Sequence, residues 1–128
     1  MFSYSSLEHF GNMDNVESAM KHAYRVLKDG GVYVISLDYI FDHGKYYVFR
    51  DERQGLNREF FTREEVEHLI DVSGFKVKEP IKYDVDADKL VNVYDLYTGN
   101  SESGKLSPHI YLRCADCLIT SLFLVLFK

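Results

Sequence analysis

Tyr24-Arg-Val-Leu-Lys-Asp-Gly-Gly-Val-Tyr-Val-Ile-Ser36 holds the end of a helix, a two-glycine turn and the start of a buried strand. Upstream of it, Val16, Met20, Ala23 and Leu27 recur at helical spacing and give one apolar face. Downstream, Val32 to Ile35 is a continuous apolar run rich in β-branched residues. The period changes at Gly30-Gly31, where the first glycine can take the left-handed conformation and the second lets the chain reverse closely. A helix that feeds straight into a fully apolar strand is the second half of a strand-helix-strand crossover. That pattern predicts a parallel sheet covered on both faces.

The 128 residues make one domain, 1–128, and are too few for two of ordinary size. A hydrophobic fraction of 46%, with ten Tyr and nine Phe, supplies a dense core. The net charge of -5 argues against non-specific binding to nucleic acid or to an anionic membrane, both of which need a basic face. Cys114 and Cys117 are too few for a disulfide framework and indicate a reducing compartment. Met1 to Phe10 lacks the basic start and apolar run of a signal peptide, so a cytoplasmic location is expected. Leu118 to Phe127 is apolar but far short of the roughly 20 residues of a membrane helix, and it reads as a buried strand.

In chain order, Met1 to Ser6 has strand composition. Asp14 with Glu17 reads as a capping box opening a helix that runs to about Asp29. The next strand spans Val32 to about Leu37. Asp38 to Phe60, with its aromatics, Gly44 and the charged Arg50-Asp-Glu-Arg53, shows no clean period and reads as a long loop with at most a short helix, facing substrate. Thr62-Arg-Glu-Glu65 is a second capping box, after which Val66, Leu69 and Ile70 form a buried stripe until Gly74. Phe75 to Tyr83 alternates as a half-exposed strand, with Pro80 marking an edge or an end. Between Asp84 and Pro108, Val91, Val93, Leu96 and Tyr97 suit a helix or a strand, and Gly99 to Gly104 is a turn. His109 to Arg113 and Leu118 to Phe127 are strand-like, forming one bulged strand or two joined by a tight turn at Cys114 to Cys117.

Ser3-Tyr-Ser-Ser-Leu-Glu-His-Phe-Gly11, Arg25-Val-Leu-Lys-Asp-Gly-Gly31 with Val32-Tyr-Val-Ile35, Phe61-Thr-Arg-Glu-Glu65 and Ser73-Gly-Phe75 together resemble the C-terminal half of a class I S-adenosylmethionine-dependent methyltransferase. The order and spacing match over about residues 1–83. The ending, Ser107-Pro-His-Ile with Thr120-Ser121, is similar to members associated with surface-polysaccharide biosynthesis. The resemblance implies an α/β, Rossmann-like methyltransferase fold in truncated form. Its mixed sheet would have about four strands, the family's fourth, fifth, seventh and sixth in that spatial order, with flanking helices. The family's glycine-rich loop after its first strand and the acidic residue after its second have no counterpart in these residues. Gly30-Gly31 is no substitute, since it follows a helix C-terminus where carbonyls point outward.

Glu8 and His9 fall at the carboxyl end of the first strand, where open α/β sheets place ligands. The resemblance implies Ser5, Ser6 and Glu8 as contacts for S-adenosylmethionine and Glu8 and His9 as catalytic residues. A capping or turn role is the other reading of Glu8 and His9. Some relatives bind a metal through Glu-x-x-Glu-His; Ser5 stands at the first of those positions, so no metal is assigned. Asp38, Tyr39 and His43 follow the next strand at the same sheet end and read either as substrate contacts or as a solvated loop with buried aromatics. Cys114-Ala-Asp-Cys117 reads as two half-buried thiols beside a turn rather than as a redox or metal motif.

The complete form is expected to transfer a methyl group from S-adenosylmethionine to a small-molecule or sugar-like acceptor. This chain alone is expected to be inactive, with weak or no cofactor binding. The alternative is a non-catalytic interaction module that self-associates as a homo-oligomer through the Met1 to Ser6 edge, which carries no protecting proline or lysine.

Overall fold

Asn12, rather than Asp14, starts the first helix in the computed structural model of the chain, which describes residues 1–40, 47–51, 56–83, 90–92, 111–114 and 117–128. The Asn15 backbone N–H donates to Asn12 Oδ1 (2.9 Å), and Asn15 Nδ2 donates to the Phe10 carbonyl (2.8 Å). Glu17, expected to complete a capping box, is instead drawn to Lys21 (3.0 Å) and to His68 Nε2 (2.8 Å). These contacts hold its carboxyl below the usual range, with His68 the larger cause. Through His68 the pair ties the first helix to the second.

The elements in order are β1 (Phe2–Tyr4), a 3-10 turn (Leu7–His9), α1 (Met13–Val26), β2 (Val32–Ile40), β3 (Tyr47–Asp51) and β4 (Leu56–Phe60). They continue with α2 (Arg63–Ser73), β5 (Lys76–Val77), β6 (Leu90–Asn92), β7 (Tyr111–Cys114) and β8 (Cys117–Phe127). The main sheet is mixed and runs β1-β2-β8-β7-β6, with β5 also paired to β8. β1 is parallel to β2, and β8 is antiparallel to β2 and separates it from β5, as the crossover and the resemblance predict. The four-strand path β1-β2-β8-β5 is therefore the expected order. β7 and β6 extend the sheet beyond it, because β7 turns back onto β8 with Cys114 and Cys117 as register partners. This settles the C-terminal segment as two strands. Leu90–Asn92 within the ambiguous stretch is strand; the expected turn at Gly99 to Gly104 lies outside the described residues.

Three boundaries after the first helix differ from the sequence reading, and that helix itself ends at Val26 rather than near Asp29. β2 continues to Ile40, because Asp38, Tyr39 and Ile40 pair with Ser121, Thr120 and Ile119 of the equally long β8. The expected loop Asp38 to Phe60 contains the antiparallel pair β3–β4, in register from Tyr47 with Phe60 to Asp51 with Leu56. Tyr47, Val48 and Phe49 are strong strand formers, and the charged Arg50 and Asp51 fall at the far end of the pair. The expected strand Phe75 to Tyr83 is paired only at Lys76 and Val77, with one further bond from Lys78 N–H to the Val125 carbonyl (3.3 Å). Pro80 has no N–H with which to continue the ladder.

The core lies between one sheet face and the two helices. Tyr33, Ile35, Leu37 and Tyr39 of β2 and Leu122, Leu124 and Leu126 of β8 meet Val16 and Met20 of α1 and Val66 and Leu69 of α2. α2 starts on the expected capping box, Thr62 N–H donating to Glu65 Oε2 (2.8 Å) and Glu65 N–H to Thr62 Oγ1 (3.3 Å). It ends on Gly74 at φ 83°. The expectation of cover on both faces is not met among the described residues: Val32 and Val34, on the face away from the helices, stay 46% and 39% exposed. No helix among the described residues is long and apolar enough to cross a membrane.

α1 stops at Val26 with Leu27 extended, so the two glycines form a separate turn, closed by Gly31 N–H donating to the Lys28 carbonyl (2.8 Å). Gly30 has φ 73° with open space around it, whereas a Cβ on Gly31 would lie 2.7 Å from both the Lys28 oxygen and Leu27 Cγ. Gly30→Ala is therefore expected to cost about 1 kcal/mol from the left-handed backbone alone. Gly31→Ala is expected to cost about 3 kcal/mol, at the upper end for overpacking against backbone. Urea denaturation of both variants checks the order, and a smaller loss for Gly31→Ala would contradict the turn.

Candidate functional site

β1 and β2 run parallel, so their carboxyl ends open on the same side of the sheet. At the end of β1 the chain breaks at Ser5, which sits at φ 43°. That conformation costs a non-glycine residue about 1 kcal/mol or more and persists only where neighbouring contacts fix it. Here Ser5 N–H donates to Ser36 Oγ of β2 (3.0 Å), and the Ser3 and Ser6 hydroxyls bond to each other. The break turns the chain into Leu7–His9, closed by His9 N–H to the Ser6 carbonyl (3.1 Å) and Phe10 N–H to the Leu7 carbonyl (3.2 Å).

The short turn sends two neighbouring candidates apart. Glu8 is fully buried, and His9 is exposed. The turn packs on β2 and on β4. Phe61 completes the enclosure: beyond the end of β1 it takes over the edge of β2, its N–H donating to the Asp38 carbonyl (2.8 Å) and its carbonyl accepting from Ile40 N–H (3.0 Å). Phe60 and Phe61 are both buried.

The sheet separates the candidates expected from β2. Asp38 is buried on the face shared with Ser36 and Ile40, whereas Tyr39 points to the helix side and belongs to the core. His43 lies outside the described residues. Ser5, Ser6, Glu8, Ser36 and Asp38 thus gather at one end of β1 and β2, and His9 stands at the rim. Ser36, Phe60 and Phe61 are the participants that the sequence reading missed. A signal for one of them was present: Ser36 interrupts an otherwise apolar strand and is buried. Chemically, the end of the sheet offers hydroxyls and two buried carboxyl groups, a set that suits hydroxyl, amine or ammonium groups of a ligand. No group of three or more His, Cys, Asp or Glu is placed to hold a metal ion among the described residues.

A separate groove of about 510 Å³ opens on the other edge of β8, between Lys78 to Tyr83 and Thr120 to Val125, with Tyr39 in its lining. The Tyr83 ring packs on Tyr39 (5.5 Å between centroids) under the Arg63 guanidinium (4.8 Å). Its buried hydroxyl has no hydrogen-bond partner among the described residues. Burial, the largest cause, pushes the Tyr83 phenol up to about 12.

No protein-family model and no curated protein matches the chain. Solved structures do. An S-adenosylmethionine-dependent methyltransferase from Methanosarcina mazei superposes with a TM-score of 0.56 at 11% identity, over 98% of this chain and 57% of that one. One from Mesorhizobium loti gives 0.54 at 12% identity, over 99% and 60%. A putative one from Listeria monocytogenes gives 0.55 at 12% identity, over 99% and 59%. At these identities the fold is what is shared, and the chain spans under two thirds of the length of each of these structures.

Because the Tyr83 phenol titrates above its ordinary 10.0, its neutral form is favoured by folding. That contribution is fully present below pH 10 and is lost as the pH rises through about 12. Tyr83→Phe removes an unpaired buried hydroxyl, so its stability at neutral pH is expected to be unchanged or higher, with a shallower loss above pH 10. Thermal melts across pH check this. A destabilised variant with an unaltered alkaline limb would show that the hydroxyl is bonded after all.

Proposed function

We propose that the chain is the C-terminal portion of an S-adenosylmethionine-dependent methyltransferase whose complete form methylates a hydroxyl or amine of a small, sugar-like acceptor. The observation that supports this most is the strained Ser5 break, held by Ser36, which carries the buried Glu8 to the carboxyl end of two parallel strands. Ligands of open α/β sheets bind at that end. The solved structures that share the fold are S-adenosylmethionine-dependent methyltransferases.

In this reading Ser5, Ser6 and Glu8 hold the methionine end of the cofactor, and Glu8 accepts hydrogen bonds from its ammonium group. S-adenosylmethionine supplies the electrophilic methyl group when bound. His9, exposed at the rim, takes in this reading the proton that the acceptor loses. Asp38 borders the same end of the sheet as a polar contact for the acceptor. Of the other expected acceptor contacts, Tyr39 serves the core and His43 lies outside the described residues.

The adenosine and ribose contacts belong to the portion of the fold that this chain does not span. Calorimetric titration of S-adenosylmethionine into this chain is therefore expected to give a dissociation constant of about 1 mM or weaker. Micromolar affinity would show that the cofactor site is complete in these residues and would contradict this division of contacts. The coding sequence upstream of Met1 gives a second check. A strand followed by a Gly-x-Gly turn is expected there, and its absence would leave the methyltransferase reading without its cofactor loop.

A further inference from the structure

β2 and β8 are apolar on both faces, and the described helices cover one of them. On β2, Tyr33, Ile35 and Leu37 lie under the helices at 5% exposure or less, while Val32 and Val34 keep 46% and 39%. β8 repeats the pattern, with Leu122, Leu124 and Leu126 covered and Phe123 and Val125 left 50% and 43% exposed. On β1, Phe2 is 84% and Tyr4 69% exposed. The strand register gathers these residues into rows: Phe2 beside Val34 beside Val125, and Tyr4 beside Ser36 beside Phe123. The Tyr4 and Phe123 rings lean together over the small Ser36, their centroids 5.9 Å apart, so that Ser36 is buried between two exposed aromatics. Neither row contains a charged residue.

We propose that this face is an interface between two copies of the chain, packed sheet against sheet about a twofold axis. Three arguments select a second copy as the occupant. The first is area: Phe2, Tyr4 and Phe123 alone expose about 400 Å² of ring surface, taking roughly 200 Å² for each full side chain. Val32, Val34 and Val125 add to that, which brings the patch toward the ~800 Å² that each partner buries in a stable complex. The second is charge. Two copies, each at -5, repel over most of their surfaces, and the two rows without a charged residue are where they meet at least cost. The third is that a twofold contact brings each row against its own equivalent, so one patch serves as both halves of the interface. Stacked sheets lie about 10 Å apart, which leaves room for the two layers of aromatic and valine side chains to interdigitate. The free edge of β1, from which the sequence predicts association, forms one rim of this face. The proposal uses neither Glu8 nor a cofactor, so the outcome of its test is distinguishable from that of the methyltransferase reading.

Sedimentation equilibrium of the unmodified chain at tens of micromolar is expected to return twice the 14.9 kDa monomer mass. Tyr4→Lys and Phe123→Lys change exposed side chains that the fold tolerates, and each is expected to raise the dimer dissociation constant at least tenfold. Val26→Lys is the control, since it removes an apolar residue that is 61% exposed on α1, away from the sheet face, and is expected to leave the dimer intact. A monomer for the unmodified chain would overturn the proposal and leave the face to a different α/β unit. It would equally be overturned by a dimer that survives both lysine substitutions, or by one that Val26→Lys dissolves.

Discussion

The antiparallel pairing of β2 with β8, in register from Val32 with Phe127 to Ile40 with Ile119, is the constraint on which the rest of the structure depends. Side chains alternate across a strand, so a slip of one residue would exchange the two faces along the whole pairing. The observed register puts Tyr33, Ile35, Leu37, Leu122, Leu124 and Leu126 on one side, and that side is what α1 and α2 pack against. It also sets the ends. At one end Gly30 N–H donates to the Lys128 carbonyl (3.3 Å) and Lys128 N–H to the Gly31 carbonyl (3.2 Å), which fixes the two-glycine turn against the residue just beyond the pairing. Lys128 Nζ reaches back to the Leu27 carbonyl (3.0 Å) and stands over the Tyr24 ring (5.1 Å), capping the exit of α1. At the other end the pairing extends β2 far enough to hold Asp38 inside the sheet.

The candidate site follows from a mismatch in length between two parallel strands. β1 pairs with β2 only from Phe2 to Tyr4 and then breaks at Ser5, while β2 continues to Ile40. The part of β2 beyond β1 would be left with bare N–H and C=O groups, a costly arrangement in a buried place. Phe61 satisfies two of them, and the Leu7–His9 turn packs alongside. Glu8 is buried as a consequence of that closure. The same break that strains Ser5 therefore defines a polar end to an otherwise apolar sheet, and Ser36 is the residue that ties its two sides together.

What was legible in the sequence was whatever a local pattern encodes. The Thr62 capping box, the Gly74 stop, the crossover into Val32 and the placement of β8 between β2 and β5 were all readable, because each rests on near-neighbour spacing or on strong handedness rules. What was not legible depended on competition between distant groups. Asp14 with Glu17 has the spacing of a capping box, yet Asn12 lies nearer the chain entry and Glu17 has a better partner in His68, far away in sequence. β3 and β4 support each other across Tyr47 and Phe60, a pairing that no short window reveals. Glu8 and His9 were placed at the right end of the sheet, but the turn that buries one and exposes the other depends on the Ser5 break, which no periodicity predicts. The apolar run Val32 to Ile35 was read as a strand covered on both faces. The described helices cover only one of those faces and leave Val32 and Val34 exposed on the other, because an apolar run encodes a strand but not what packs on it.

The central claim is that the polar end of β1 and β2 is where the methionine part of S-adenosylmethionine is held. Amide chemical shifts of the isotopically labelled chain, followed during titration with S-adenosylmethionine to millimolar concentration, test it most directly, because they detect weak binding and locate it. The account predicts shifts concentrated in Ser5 to His9 and Ser36 to Asp38. Shifts confined to the groove beside Ile81 and Tyr83 would contradict it.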